Sequence, residues 1–505
     1  MRYIKNRALI ILTIAVLVRV AVVIITTPSS DACTHLKFTL FFAEHLRLPH
    51  YGEVLADRFW SFQPPFYYIL VGLLSKPFLL LSYQTAFDFV KLSNVIFGSL
   101  QIVLSYLIIR KFSDENTAFW ALVFLAFVPL HIYFSSVTFL DILLSFLITL
   151  SLYLLLKERY ILSAISLGCG ILTKNSILFF LPVAALFFLM KRKQDNKAIS
   201  WLARKGTLYL LVAGLVGSGW LLRNYIVFHN PFFPFLLNWF PTNVMRPENG
   251  ALAFSLEPLL SPRIYAEFLL GWYGLPHGRI VIIQALFPGK LIFVFLAWLL
   301  LCMAATLPLF AGIFLATRQD FSKAKAFKPS VLMLSLIGSF LVMLLIYFTY
   351  WHESFTRLIL PSITAYAFFW AQGTKRILAK AGKYRLILLL LLGGICLMFV
   401  AGEIVKASFA TSLWNRHKPD FEWIKRNTPG NAKFYEEGDL CFQLYTDRLP
   451  IKNPDRIAEA DYIFLSRGIP LIPWDIANPL LNQTIKNYSL AYYNPDTKTY
   501  IYKKG

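Results

Sequence analysis

Residues 118–156 read AFWALVFLAFVPLHIYFSSVTFLDILLSFLITLSLYLLL, and this stretch decides the fold. A helix crossing a bilayer needs about 20 apolar residues. The run is about twice that long and is interrupted only by His131 near Pro129 and by Asp141. It reads as two membrane helices with Asp141 near the turn between them. Ile387–Val400 likewise lacks any charge, and of 505 residues 57% are hydrophobic and 15% charged, so lipid rather than water is the solvent for this chain.

The net charge is +22, a value that would point to nucleic acid in a water-soluble protein. Here Lys and Arg cluster between apolar runs, at Arg2–Arg7, Arg110-Lys111, Lys157–Arg159, Lys191–Lys205, Arg318–Lys328 and Lys375–Arg385. The positive-inside bias assigns all six groups to the cytoplasm, which makes the basicity topological and excludes nucleic acid as a partner. Residues 1–30 have the shape of a signal peptide, but Ala8–Thr26 is long enough to span and reads as a retained first helix.

With every basic cluster on one side, each gap between clusters holds an even number of crossings. Ile161–Met190 is then a hairpin with Lys174 near its outer apex. Of the segments 8–26, 64–81 and 88–109, parity allows two full crossings. The middle one opens with Pro64-Pro65, carries Lys76-Pro77, and is expected to dip or lie at the interface. Further helices are expected at 207–226, 291–316, 330–350, 358–373 and 386–404. The fold class is an α-helical polytopic membrane protein of about 11 transmembrane helices plus interfacial helices, ending in a small extracytoplasmic α/β domain.

The domain division is 1–405 for the membrane part, with a first outer loop at 27–87 and a large one at 227–290, and 406–505 for the C-terminal domain. The tail carries Pro-Gly and Asn-Pro punctuation and short alternating stretches at Ala432–Tyr435, Tyr462–Leu465 and Thr499–Tyr502. Pro419–Asn427 is expected to be a helix stopped by Thr428-Pro429-Gly430. The five cysteines show no metal spacing and three lie in apolar runs. Sidedness permits a Cys33–Cys441 disulfide without favouring it.

This topology brings Asp31, His35, Asp57, Arg58, Gln63, Asp141, Lys174, Arg223, His352, Glu353 and Arg357 to the outer side. A carboxylate inside a membrane helix costs roughly 2.5–3.5 kcal/mol, so Asp141 and Lys174 call for a partner or a water-filled cavity. Structural alternatives stand beside the chemical ones. Asp141 and Lys174 can form a packing salt bridge; Asp31 can cap a helix running through Leu46; Arg223 and the His352/Glu353/Arg357 turn can anchor at the interface. His35 follows Asp31 by one helical turn, which makes these two weak candidates for a divalent metal with no third ligand placed.

Transfer of a sugar from an isoprenoid phosphate to a hydroxyl needs a carboxylate to take the acceptor proton and cations to stabilise the departing phosphate. Asp31 or Asp141 supplies the first, and Lys174, Arg223 and Arg357 supply the second. The leaving phosphate is already acidic, so no general acid is required.

The same residues resemble the GT-C glycosyltransferases, in the branch of the protein O-mannosyltransferases and lipid A aminoarabinose transferases. The matching pieces are Ser30-Asp31 with Thr34-His35; Gln63-Pro64-Pro65-Phe66-Tyr67-Tyr68; Pro129-Leu130-His131 and Phe139-Leu140-Asp141; Gly168 through Leu172-Thr173-Lys174; Trp220 through Tyr225 with Asn230-Pro231; and Arg357 with Pro361. The resemblance covers residues 1–235 well and the rest thinly.

It implies an inverting transferase that uses a polyprenyl- or dolichyl-phosphate sugar and a lipid, glycan or protein acceptor. Asp31 would be the base, Asp141 a second essential acid, and Lys174 would lie near the donor phosphate. Gln63, Tyr67, His35, His352 and Glu353 are further substrate-binding candidates. The sequence departs from the pattern at Ala32, where many relatives carry a second acid, and at Gln63-Pro64, where many carry His or Lys. The expected location is the plasma (inner) membrane with an extracytoplasmic active site. A transporter or lipid flippase is the rival reading and predicts midplane charges and inverted repeats, neither of which the sequence displays.

Overall fold

The computed structural model describes residues 2–28, 31–49, 63–231, 240, 270–273, 291–322, 327–351, 356–436, 441–451, 454–466 and 484–505. Its helices are α1 (Arg2–Ile25), α2 (Asp31–His45), α3 (Phe66–Leu79), α4 (Tyr83–Phe112), α5 (Glu115–Phe127), α6 (Pro129–Ser136), α7 (Leu140–Leu156), α8 (Tyr160–Ile171), α9 (Leu181–Gln194) and α10 (Ile199–Phe228). They continue with α11 (Leu291–Ser322), α12 (Pro329–Trp351), α13 (Ile363–Lys380), α14 (Arg385–Asn427) and α15 (Phe442–Thr446).

Among the described residues, seven helices are long and apolar enough to cross a membrane, or eight when α5 and α6, which meet at 57°, count as one broken span. That is fewer than the eleven expected. The difference lies in three elements: α7 and α8 have 17 and 12 residues, α8 being about 18 Å long against a hydrocarbon core about 30 Å thick, and α13 carries Lys375, Arg376 and Lys380 within its 18 residues. Most side chains of α7 are buried, packed chiefly against α8 and α4, so its length need not match the bilayer.

The ends of the bundle carry different chemistry. At one end the basic clusters meet their partners: Lys375 with Asp114, Lys191 with Glu158 and Asp195, and Lys111 with the Leu156 carbonyl. At the other lie Asp31, Asp141, Lys174, Arg357 and the C-terminal domain. Helices α11 and α13 cross backbone to backbone, since a Cβ on Gly312 would strike the Phe369 carbonyl and one on Gly373 the Pro308 carbonyl. Only glycine permits that approach, and dispersion between such close backbones drives helix association in lipid.

The break between α5 and α6 explains a charge inside α1. Pro129 has no N–H, so the Leu125 carbonyl loses its helical donor, and Ala126 sits at the same frayed end. The fully buried Arg19 replaces those donors, giving bonds of 2.9 Å to Leu125 O and 3.1 Å to Ala126 O. It also reaches Ala15 O at 2.8 Å and His131 Nδ1 at 2.7 Å. The arginine therefore fixes His131 as the tautomer protonated at Nε2, which donates to Gln101 Oε1 at 3.2 Å. The Gln101 amide donates onward to Ser145, and Ser145 to the Leu360 carbonyl at 2.9 Å.

Helix α14 runs unbroken from the membrane span Gly382–Phe409 to Asn427. The helix expected at 419–427 is thus the end of α14 and not a separate element, although it stops before Thr428 as expected. The strands β1 (Lys433–Glu436), β2 (Leu449–Ile451), β3 (Tyr462–Ser466), β4 (Tyr488–Asn494) and β5 (Thr499–Lys504) form one sheet in the order β2-β1-β3-β5-β4. The β1 strand is parallel to β2 and β3, and β5 is antiparallel to β3 and β4.

Buried Asp420 on α14 joins helix to sheet, accepting hydrogen bonds from Tyr492, Asn494, Thr497 and Thr499 and facing His417 Nδ1 at 3.1 Å. Arg448 closes the end of α14 through bonds to the Lys425 and Thr428 carbonyls at 3.1 and 2.8 Å. Cys33 of α2 and Cys441 form a disulfide with Cα atoms 5.1 Å apart, making the pairing that sidedness permitted without favouring.

Candidate active site

Asp31 is the first residue of α2, where a carboxylate complements the helix dipole. Its Oδ2 accepts from Arg357 at 2.9 Å. Arg357 lies in the short 3₁₀ segment Thr356–Ser362, with its guanidinium 5.2 Å from the centre of the Phe139 ring. Asp141 opens α7 two residues beyond Phe139. Lys174, extended between α8 and the 3₁₀ turn Asn175–Phe180, donates to Asp141 Oδ1 at 2.7 Å. Lys174 therefore occupies the hairpin apex, as its sequence position predicts. Both side chains are nearly buried, at 12% and 4% exposure, which favours a paired, ionised couple over an exposed surface bridge.

His35 joins the two pairs. It faces the same side of α2 as Asp31, its Nδ1 meets the Tyr68 hydroxyl at 2.8 Å, and its ring lies edge-on to Phe139 at 5.9 Å. The charges of Asp31, Arg357, Asp141 and Lys174 all act on it. Burial pushes the imidazole down to about 4; the two aspartates oppose that shift and the two cations reinforce it. At neutral pH His35 is an uncharged hydrogen-bonding group amid two carboxylates and two cations.

The Gln63-Pro64-Pro65 stretch runs beside Lys174, because the Phe66 N–H donates to the Leu172 carbonyl at 2.8 Å. Tyr67 is fully buried and turns into the core, where its hydroxyl bonds Asn94 Oδ1 at 3.1 Å. The Asn94 amide in turn holds the Val137 and Phe139 carbonyls, the link that delivers Asp141. Tyr67 thus supports the site from behind, and its neighbour Tyr68 touches His35.

Arg223 lies at the end of α10, bonded to Asn224 Oδ1 at 3.0 Å and placed over the Trp220 and Phe228 rings. No contact among the described residues ties it to Asp31, Asp141 or Lys174. Asp57, Arg58, His352 and Glu353 fall outside the described residues. Among the described residues no three His, Cys, Asp or Glu groups gather as metal ligands. The two weak metal candidates, Asp31 and His35, hydrogen-bond to Arg357 and Tyr68.

Sequence reasoning missed a neighbouring cluster. Glu403 of α14 is 2% exposed, Lys406 lies 4.0 Å from it, and the Lys406 ammonium sits 3.5 Å from the centre of the Tyr133 ring. Tyr133 feels the charges of Glu403, Arg357 and Asp31, so this cluster borders the site. A carboxylate closing the apolar run after Ile387 was the available signal.

Two carboxylate–cation pairs thus stand at one end of a polytopic helical bundle, with a small sheet domain at that end. Residues 64–225 match the family described as dolichyl-phosphate-mannose-protein mannosyltransferase. ArnT from Cupriavidus metallidurans bound to undecaprenyl phosphate is similar over 99% of this chain and 98% of that one, with a TM-score of 0.61 and 12% identity. Its apo state gives 0.60 at 12% identity and the same coverage. The Archaeoglobus fulgidus oligosaccharyltransferase tethered to an acceptor peptide matches 99% of this chain and 74% of its own, with a TM-score of 0.60 and 15% identity. Comparison with curated protein sequences finds no match. The chain has the fold of ArnT and of that oligosaccharyltransferase, and its residues 64–225 resemble the mannosyltransferase family.

Proposed function

We propose that this protein is a membrane glycosyltransferase that moves a hexose or pentose from a polyprenyl- or dolichyl-phosphate donor to a lipid, glycan or protein acceptor, with inversion at the anomeric carbon. The observation that carries the reading is the convergence of Asp31–Arg357 and Asp141–Lys174 around one neutral histidine. Asp31 takes the proton from the acceptor hydroxyl as its oxygen bonds to the anomeric carbon and the carbon–phosphate oxygen bond breaks on the opposite face. Lys174 and Arg357 stabilise the charge that collects on the departing phosphate. Asp141 aims Lys174, and His35 and Tyr68 supply neutral hydrogen bonds beside the reacting groups. The undecaprenyl phosphate bound by ArnT is the kind of leaving group this arrangement accommodates.

The site is assigned to the extracytoplasmic face of the plasma membrane. Two observations support that side: the basic clusters gather at the opposite end, and the Cys33–Cys441 disulfide belongs in an oxidising compartment. The same sidedness puts the sheet domain outside, and the division at about 405 is kept as part of this proposal, with α14 running across it. The protein is to be reconstituted in vesicles with undecaprenyl-phosphate sugars of several kinds and a membrane extract as acceptor source, and lipids followed by mass spectrometry. Enzyme-dependent release of undecaprenyl phosphate from one of these donors is expected. No release from any of them, with no binding of undecaprenyl phosphate, contradicts the reading.

A further inference from the structure

Asp31 is held by more than its bond to Arg357. Three residues before it, the Pro28 carbonyl accepts from the Tyr445 hydroxyl at 2.9 Å. Two residues after it, Cys33 is bonded to Cys441. Four residues further along α2, Lys37 pairs with Asp447 at 3.2 Å. All three partners lie on or beside α15 in the C-terminal domain, and both cysteines are fully buried.

The α15 helix is itself fixed. Phe442 packs on Phe421, Phe434 and Phe464, and Arg448 bonds the Thr446 carbonyl at 3.2 Å. On the membrane side, Thr411 of α14 accepts from the Thr27 N–H at 2.9 Å and donates to the Ile25 carbonyl, so the helix leading into the domain also grips the end of α1. The segment that delivers Asp31 is thereby clamped before and after the carboxylate by residues more than 380 positions away in sequence.

We infer that the C-terminal domain is a positioning element for Asp31, with Cys33, Cys441 and Tyr445 as positioning residues and the Cys33–Cys441 bond making this placement dependent on an oxidising environment. The inference rests on the proposed role of Asp31 as the base. Opening the bond is a two-electron, two-proton reduction to two thiols by a phosphine or dithiol reductant. A base displaced by about 1 Å lowers turnover by up to about a hundredfold while leaving a phosphate held by Lys174 and Arg357 in place.

The test compares the oxidised full-length protein, the same protein after tris(2-carboxyethyl)phosphine, and the Cys33→Ser, Cys441→Ser and Tyr445→Phe variants, all below their unfolding temperatures. Expected are a tenfold or greater fall in kcat in the reduced protein and in both serine variants, recovery of the reduced wild type on reoxidation, unchanged Kd for undecaprenyl phosphate, and faster amide exchange across Asp31–His45. A smaller fall is expected for Tyr445→Phe.

Equal turnover in oxidised protein and serine variants, or unchanged exchange across Asp31–His45, overturns the inference. So does a purified protein in which both thiols are free. Should the wild type turn over no lipid-phosphate sugar, the functional reading fails, and the exchange measurement still decides whether the domain orders this helix.

Discussion

The Asp141–Lys174 pair offers a perturbation whose outcome separates scaffold from chemistry. Two unit charges 2.7 Å apart at an effective dielectric of about 20 attract by roughly 6 kcal/mol, and burial of each ion offsets several kcal/mol of that. Asp141→Leu leaves a buried ammonium, and Lys174→Met a buried carboxylate. Each single change is expected to destabilise the protein by about 3–5 kcal/mol. The double variant Asp141→Leu/Lys174→Met removes both charges and is expected within about 1–2 kcal/mol of wild type. Turnover is expected to be lost in all three, because the phosphate loses Lys174 in the two variants that lack it and loses the carboxylate that aims Lys174 in Asp141→Leu, even where stability returns. Unfolding in detergent micelles measures the first quantity and release of polyprenyl phosphate the second. A double variant that recovers both stability and turnover shows that the pair is only a packing bridge and refutes the reasoning.

Three other outcomes follow from the fold. Arg19→Met strips donors from the Leu125 and Ala126 carbonyls and is expected to cost roughly 2–6 kcal/mol in denaturant unfolding; a loss below about 1 kcal/mol contradicts the capping role. Gly312→Ala forces α11 from α13 at the Phe369 carbonyl and is expected to cost about 1–3 kcal/mol. Gly338→Ala on α12, with open space around it, is expected to be neutral or slightly stabilising in the same assay.

Burial raises the pKa of Asp420, but hydrogen bonds from His417, Asn494, Thr497 and Thr499 outweigh it and hold the carboxyl below its ordinary value. Its folded value is below its unfolded one, so its contribution is complete above about pH 4 and disappears as pH falls through the folded value. Proteolytic sensitivity of the C-terminal domain should therefore rise steeply in acid for wild type. Asp420→Asn should be sensitive already at neutral pH, with a shallower acid dependence.

Charge in an apolar run was the legible signal. Asp141 and Lys174 each interrupt such a run, and parity of the basic clusters put both at one end, where they pair. Arg357 and Asp31 came to the same end by the same logic, but their bond depends on Phe139 and on the 3₁₀ turn after α12, which no spacing reveals. Arg19 went unread because it lies within an otherwise apolar first helix; its meaning depends on a helix break more than a hundred residues away.

The eleven expected crossings overcounted helices of full length, since hydropathy alone does not separate a full span from a shorter apolar helix such as α8. The continuity of α14 was hidden by Pro419, which ends helices more often than it sits within them. The Cys33–Cys441 pairing spans 408 positions and is set by how the C-terminal domain docks.

The central claim is that Asp31 is the base of a lipid-phosphate-sugar transferase. Its most direct measurement is the turnover of Asp31→Asn in proteoliposomes beside its affinity for undecaprenyl phosphate. The account predicts a fall in turnover of at least about a hundredfold with affinity within a few fold of wild type. Turnover near the wild-type rate would contradict it.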